Sequence, residues 1–147
     1  MSETIAIDEA AARILRDALK LDEFFPDMRP EDIAAFFPQS GLCRYAAREY
    51  VLTQGEAGRD VFVVVEGSVT VTRMGEGSGS KLGALGPGEL LGEIALALNG
   101  TRTATAIATN GAVLFRLAYP DVESLLIGNP PLGEHLKGLA QRRLRED

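Results

Sequence analysis

Hydrophobic residues recur along the chain with two different periods, and the first of these is helical. Between Asp8 and Lys20, apolar residues return at i, i+4 and i+7, which places them on one face of a helix. Over Pro30 to Phe37 the sequence predicts a second, shorter helix, because Pro30 suits the first helical position and Pro38 ends the segment. Residues 1–38 are therefore predicted to form a helical N-terminal segment.

From about Ser40 the period changes to two, which is the period of strands in a sheet. The predicted strands are Tyr50–Thr53, Val61–Val65, Val69–Thr72, Leu82–Leu85, Arg102–Thr109 and Ala112–Leu117. Asn110-Gly111 stands between the last two of these and predicts a tight hairpin. Short strands at regular spacing favour a β-barrel or jelly roll, here over residues 39–118.

The last part of the chain, residues 119–147, returns to a helical pattern. One helix is predicted over Pro120 to Ile127 and another from about Leu132, with Asn129-Pro130-Pro131 as the break between them. The sequence thus predicts a mainly β fold in which N-terminal helices and two C-terminal helices flank a β-roll. Its 147 residues fit a single domain.

Composition and charge limit the classes of partner and the cellular location that we expect for the chain. The formal net charge of −6 argues against the chain as a whole gripping a nucleic-acid backbone. No apolar run approaches the ~20 residues of a membrane span, and the acidic N-terminus does not read as a signal peptide. We therefore expect a cytoplasmic protein with no membrane partner. The single cysteine, Cys43, excludes an internal disulfide and is expected to be a packed thiol.

The residues that could support catalysis or metal binding form no recognisable active-site motif in the sequence. His135 is the only histidine and falls in the last predicted helix, which argues against a histidine-rich metal site and against a nucleophile–histidine pair. The glycine-rich segment Gly75 to Lys81 does not match a phosphate-binding P-loop, because its flanks read as strands, and it predicts a flexible hairpin. We expect a protein that is not an enzyme and needs no cofactor.

Glu93 and Arg102 stand in a segment, Gly88 to Ala108, that is otherwise mostly small or apolar. Gly92 to Ala97 could form a single helical turn whose first N–H groups face an anion. Arg102, followed by Thr103, adds a guanidinium and a hydroxyl, so the set suits a phosphate. The carboxylate of Glu93 would repel phosphate, so it fits a sugar hydroxyl instead. A phosphate site next to a sugar site indicates a nucleotide. A salt bridge between Glu93 and Arg102 is the alternative reading.

This segment resembles the phosphate-binding cassette of cyclic-nucleotide-binding domains. The resemblance rests on LGEIAL at residues 91–96 and TRTAT at residues 101–105, and the cassette would span residues 86–105. Three further stretches match in the family's order: QGEAG at 54–58, VFVVVEGSVTV at 61–71, resembling the family's hairpin, and LGPGE at 85–89. Leu91 stands where the family commonly has Phe, and Thr101 where it commonly has Pro.

The resemblance implies a role for each matched residue of the cassette. Arg102 would pair with the cyclic phosphate, and Glu93 would accept a hydrogen bond from the ribose 2′-hydroxyl. Gly92, Ile94 and Ala95 would offer backbone N–H groups, and Thr103 would bind phosphate or purine. In many family members the last helix closes over the base, and the implied lid residues here are Leu136, Leu139 and Arg143. A basic helix end that complements the helix dipole is an alternative explanation for the arginine.

The function implied is binding of a cyclic purine nucleotide, with cAMP preferred to cGMP only because it is the commoner ligand. The chain ends at Asp147 without a helix-turn-helix, channel or kinase segment, so a stand-alone sensor or regulatory subunit that does not bind DNA is expected. Its output would be a movement of the terminal helices, recognised by an effector protein that the sequence does not identify. A protein-interaction module that has lost the ligand is the alternative, and a homodimer through the terminal helices stays open.

Overall fold

The computed structural model describes residues 3–21, 24, 29–75, 78–92, 102 and 104–136. The helices are α1 (Glu9–Ala18), α2 (Pro30–Phe36), α3 (Tyr119–Gly128) and α4, described over residues 130–136. The strands are β1 (Glu3–Ile5), β2 (Gly41–Tyr45), β3 (Tyr50–Leu52), β4 (Val61–Gly75), β5 (Ser78–Leu85), β6 (Leu90–Leu91) and β7 (Thr105–Leu117). Among these helices none is long and apolar enough to cross a lipid bilayer.

Local sequence signals set the helix boundaries, and the four predicted helices are confirmed. The Asp8 side chain caps α1 by accepting a hydrogen bond from the backbone N–H of Ala11 at 2.8 Å. Pro30 occupies the first turn of α2. The last helix starts at residue 130, earlier than predicted, and the Asn129 carbonyl accepts a hydrogen bond from Gly133 N at 3.0 Å.

The hairpins predicted at Asn110-Gly111 and within residues 61–71 are wrong, because β7 and β4 run continuously through these positions. Gly67 and Gly111 both have positive φ, +82° and +96°, and Gly67 pairs with Ala112, the residue after Gly111. A Cβ atom on Gly67 would collide with the carbonyl oxygen of Gly111, so only glycine allows this close approach. The pairing register shifts between Gly67 and Val69, and the two strands bend together there instead of turning back.

The bend divides one seven-stranded antiparallel sheet into two halves. The main path of the sheet is β1-β2-β7-β4-β5. On one side of the bend, β7 and β4 pair with β2 and β6; on the other side they pair with β3 and β5. β4 and β5 remain paired up to Gly75 and Ser78, so the predicted glycine-rich hairpin is confirmed. The result is the β-roll flanked by helices that the sequence predicts.

The apolar run at the start of β4 is buried on both faces. Val61 and Val63 belong to a cluster with residues of the helices, whereas Phe62 and Val64 belong to a second cluster inside the roll. Alternate residues of a strand point to opposite faces, so an unbroken apolar run fits a strand covered on both sides. Cys43 is half-buried and packs against the inner cluster, as expected for a packed thiol.

Candidate functional site

Arg102 is fixed by its backbone to the turn at residues 54–58. Its N–H donates to the carbonyl of Glu56 at 2.9 Å, and its carbonyl accepts from the N–H of Gly55 at 2.9 Å. Gly55 has a φ of +89°, which glycine adopts without strain. The turn therefore holds Arg102 at the start of the segment that leads into β7.

Arg102 is only 6% exposed as a residue, and its guanidinium lies between two glycines. A Cβ atom on Gly58 would lie 2.8 Å from its Nε, and one on Gly92 would lie 2.8 Å from its Nη1. Gly92 also has a φ of +89°, and its Cβ would lie 2.9 Å from the carbonyl oxygen of Asp60. Both walls of the pocket are thus backbone, and a side chain at either glycine would displace the guanidinium.

The buried guanidinium has little to bind within the described residues. Nη1 donates one long hydrogen bond, 3.5 Å, to the carbonyl of Gly92, and the guanidinium carbon lies 6.0 Å from the centre of the Phe62 ring. No carboxylate of the described part of the chain comes within ion-pair distance. Burial lowers the pKa of Arg102, and the negative charge of Asp60 opposes this shift.

A buried cation with no carboxylate partner among the described residues is suited to bind an anion. A guanidinium carries five N–H donors in a fixed plane, and most of those on Arg102 have no partner in the described structure. Burying a charge without a partner costs several kcal/mol, so the arrangement is unfavourable unless an anion completes it. A phosphate or carboxylate with two adjacent oxygens matches the guanidinium geometry.

The structure brings together two of the residues that the sequence singled out, Gly92 and Arg102. Four further cassette residues, Glu93, Ile94, Ala95 and Thr103, lie outside the described residues, and so do the lid candidates Leu139 and Arg143. The roles predicted for all of these stay predictions, as does the alternative Glu93–Arg102 salt bridge.

The remaining lid candidate, Leu136, is 3% exposed and packs in the cluster between the helices and the sheet. Its predicted contact with a ligand stays a prediction.

Sequence reasoning gave no role to two residues that shape this pocket, Gly58 and Asp60. Gly58 belongs to the quoted QGEAG turn, and its contact with the arginine is the reason for a glycine there. Asp60 directly precedes the apolar run of β4. Its position in the sequence marks the start of the strand but does not reveal which residues it contacts.

His135 contacts the N-terminal helical segment. Its Nε2 lies 2.8 Å from the carbonyl oxygen of Leu19, and its ring packs 5.0 Å from that of Phe24. Among the described residues, no group of three or more His, Cys, Asp or Glu side chains is arranged to hold a metal ion. His135 thus links the last helix to the end of α1.

The sequence of the chain matches known proteins over most of its length. A family model described as cyclic nucleotide-binding domain matches residues 42–129. The cyclic AMP receptor protein of Thermus thermophilus is 34% identical over 131 residues, which cover 87% of this chain and 60% of that protein. The cGMP-dependent protein kinase egl-4 of Caenorhabditis briggsae is 33% identical over 108 residues, covering 74% of this chain and 14% of the kinase.

A solved structure agrees on the fold. The crystal structure of a cyclic nucleotide-binding domain from Methylobacillus flagellatus superposes with a TM-score of 0.73 at 19% identity, covering 97% of this chain and 84% of that one. At that identity the likeness concerns the fold alone. The chain spans less than two thirds of both curated relatives, so their activities as whole proteins do not transfer to it directly.

Proposed function

Since the chain belongs to the cyclic nucleotide-binding domain family, we propose that it binds a cyclic purine nucleotide in the pocket around Arg102. The observation that carries the proposal is the buried guanidinium, which lies between Gly58 and Gly92 with no carboxylate of the described structure within ion-pair distance. A cyclic phosphate has two free oxygens and one negative charge, and it can accept two parallel hydrogen bonds from this group.

The remaining contacts are proposed from the family motif. Glu93 accepts from the ribose 2′-hydroxyl, and the backbone N–H groups of Gly92, Ile94 and Ala95 bind phosphate oxygens. Thr103 adds a hydroxyl to phosphate or purine. The carboxylate of Glu93 would select for a ribose, because it needs a donor and a deoxyribose offers none at that carbon.

We propose cAMP as the preferred ligand. The bacterial relative is named a cyclic AMP receptor protein, whereas the nematode relative is named a cGMP-dependent kinase. Both names refer to a nucleotide with a cyclic phosphate and a ribose, and the two nucleotides differ only in their base. The bacterial relative matches a larger share of this chain, which is the reason for placing cAMP first.

Domains of this family are regulatory, and we propose a regulatory output here rather than catalysis. Nucleotide binding would shift the population toward a state with the last helix closed over the pocket. In the described structure Leu132 and Leu136 pack α4 into the helix cluster, and His135 joins it to α1. A movement of α4 would therefore reach α1, and a cytoplasmic effector protein, not DNA, would recognise the change.

A thermal melt with and without nucleotide tests the proposed function. At about 100 times the dissociation constant, binding adds about 2.7 kcal/mol to stability. For a chain of this size, the melting temperature should rise by about 5–10 °C. We expect this shift with cAMP, a smaller one with cGMP, and none with 5′-AMP, whose phosphate is not cyclic. No shift with either cyclic nucleotide would indicate an interaction module that has lost the ligand.

A further inference from the structure

One wall of the Arg102 pocket is a short segment that belongs to no strand. Residues 58–60 connect the turn at 54–58 to the start of β4 and have no regular backbone pairing. Gly58 faces the guanidinium, and the carbonyl of Asp60 faces Gly92. Because neighbouring strands do not hold this wall, the position of the guanidinium depends on whatever else fixes the segment.

The Asp60 carboxylate attaches the segment to two other elements. Its Oδ1 accepts from the backbone N–H of Tyr119, the first residue of α3, at 2.9 Å. Its Oδ2 accepts from Nη1 of Arg116, near the end of β7, at 3.0 Å. The first N–H groups of a helix have no partner within the helix, so a carboxylate satisfies both the hydrogen bond and the dipole.

Other contacts reinforce the same junction. The Arg59 guanidinium carbon lies 5.1 Å from the centre of the Tyr119 ring, so two consecutive residues of the segment contact the same helical residue. Arg116 donates its Nη2 to the carbonyl of Gln39 at 2.9 Å, which fixes the arginine that Asp60 binds. The junction therefore joins the pocket wall to α3, β7 and the turn after α2.

We propose that Asp60 is a positioning residue for Arg102: it anchors the 58–60 wall to the start of α3 and thereby fixes the guanidinium that binds the anion. For its effect on ligand affinity, the inference rests on the proposed function. It also implies that the pocket and the first turn of α3 share one anchor. A displacement of that turn would move the wall, and an anion bound to Arg102 would oppose the displacement.

The test compares Asp60→Ala and Asp60→Asn with a matched control, Asp121→Asn. Asp121 lies in the same first turn of α3, is 4% exposed, and accepts hydrogen bonds from Gln39 N and Ser40 Oγ, but not from the 58–60 wall. Its substitution should loosen α3 while both hydrogen bonds of Asp60 remain, so it should disturb the pocket less than Asp60→Ala does. Asp60→Asn keeps an acceptor for Tyr119 N and serves if the alanine variant does not fold.

Three properties are measured on each variant of the full chain. They are the melting temperature, the dissociation constant for cAMP, and the Nε–H signal of Arg102 in a ¹⁵N spectrum of the ligand-free protein. That signal is assigned by its absence in Arg102→Met. We expect Asp60→Ala to shift or broaden it and to weaken binding about tenfold or more, the worth of one charge-assisted hydrogen bond. Asp60→Asn should have a smaller effect, and Asp121→Asn should lower the melting temperature with a smaller change in the Arg102 signal and in affinity than Asp60→Ala at the same loss of stability.

Two results would overturn the inference. In the first, the Arg102 signal and the affinity stay unchanged in both Asp60 variants, so that Asp60 serves α3 alone. In the second, Asp121→Asn perturbs the signal as much as Asp60→Ala at equal loss of stability, which would indicate general loosening. If the unmodified protein binds no nucleotide but the Asp60 variants still shift the signal, the proposed function fails and the positioning role stands.

Discussion

Arg102→Met distinguishes a side chain that is buried to stabilise the fold from one that is buried to bind a ligand. The variant removes the guanidinium but keeps a long apolar side chain that fills part of the same space. A side chain buried for stability should destabilise the free protein when it is replaced. Replacement of a side chain that is buried for binding should leave the stability of the free protein nearly unchanged and should abolish ligand binding.

The expected magnitudes follow from the contacts of Arg102. Loss of two charge-assisted hydrogen bonds to a phosphate, at about 1.5–3 kcal/mol each, weakens binding by about 10²- to 10⁴-fold. Among the described residues, the variant loses one hydrogen bond of 3.5 Å and a ring contact at 6.0 Å in the free protein, the latter worth about 0.5–1 kcal/mol. It also no longer buries a charge that has no carboxylate partner in the described structure, which offsets that loss. Stability should therefore change by no more than about 1 kcal/mol, or about 2–4 °C in melting temperature.

Calorimetric titration with cAMP and urea unfolding of the free protein measure the two quantities. Arg13→Met, on the exposed face of α1, is the control for the same chemical change away from the pocket and should alter neither. Unchanged affinity in Arg102→Met would refute the assignment of Arg102 to the phosphate. A loss of several kcal/mol in the free protein would indicate that a stabilising partner, as in the alternative Glu93–Arg102 salt bridge, already binds the guanidinium before ligand does.

Three further predictions concern single positions. Gly92→Ala should cost about 1–3 kcal/mol in urea unfolding, because a residue with a Cβ is strained at a φ of +89°, and it should also weaken nucleotide binding, since the Cβ would meet Arg102. Burial raises the pKa of the Cys43 thiol, with Arg116 opposing the shift, so Cys43 should react with a disulfide reagent at pH 8 more slowly in the folded chain than in urea. The unfolded thiol ionises first, so this residue's contribution to stability should be constant below about pH 8.5 and decline above it, as a comparison with Cys43→Ala would show. His135→Ala removes the contact with the Leu19 carbonyl and should lower stability by about 1 kcal/mol, measurable as a lower melting temperature; an unchanged value would show that the contact contributes nothing.

The parts of the fold that the sequence predicted correctly depend on local signals. Asp8 caps α1 and Pro30 starts α2 through contacts within a few residues, which a reading along the chain can find. The alternation of Val61 to Val64 between two clusters follows directly from the period of a strand. The hairpin predicted at Asn110-Gly111 failed because the same dipeptide suits a bulge, and Gly67, far away in sequence, determines which one forms.

The residues of the candidate site were likewise predictable from the sequence only where the signal was local. Gly92 and Arg102 were found from a motif in one segment of the chain, and the structure places them side by side. The contacts of Asp60 were not predictable, because its partners Arg116 and Tyr119 lie 56 and 59 residues away. The position of such a residue is decided by the folded sheet, and its sequence context shows only an acid before an apolar strand.

The most direct test of the central claim observes the phosphate itself. In a ³¹P NMR titration of cAMP, the unmodified protein should give a bound resonance that saturates with one nucleotide per chain, and Arg102→Met should give none at the same concentrations. 5′-AMP should show no bound resonance with either protein. If cAMP gives no bound signal, or the same signal in the unmodified protein and in Arg102→Met, the buried guanidinium of Arg102 is not the site of a cyclic phosphate.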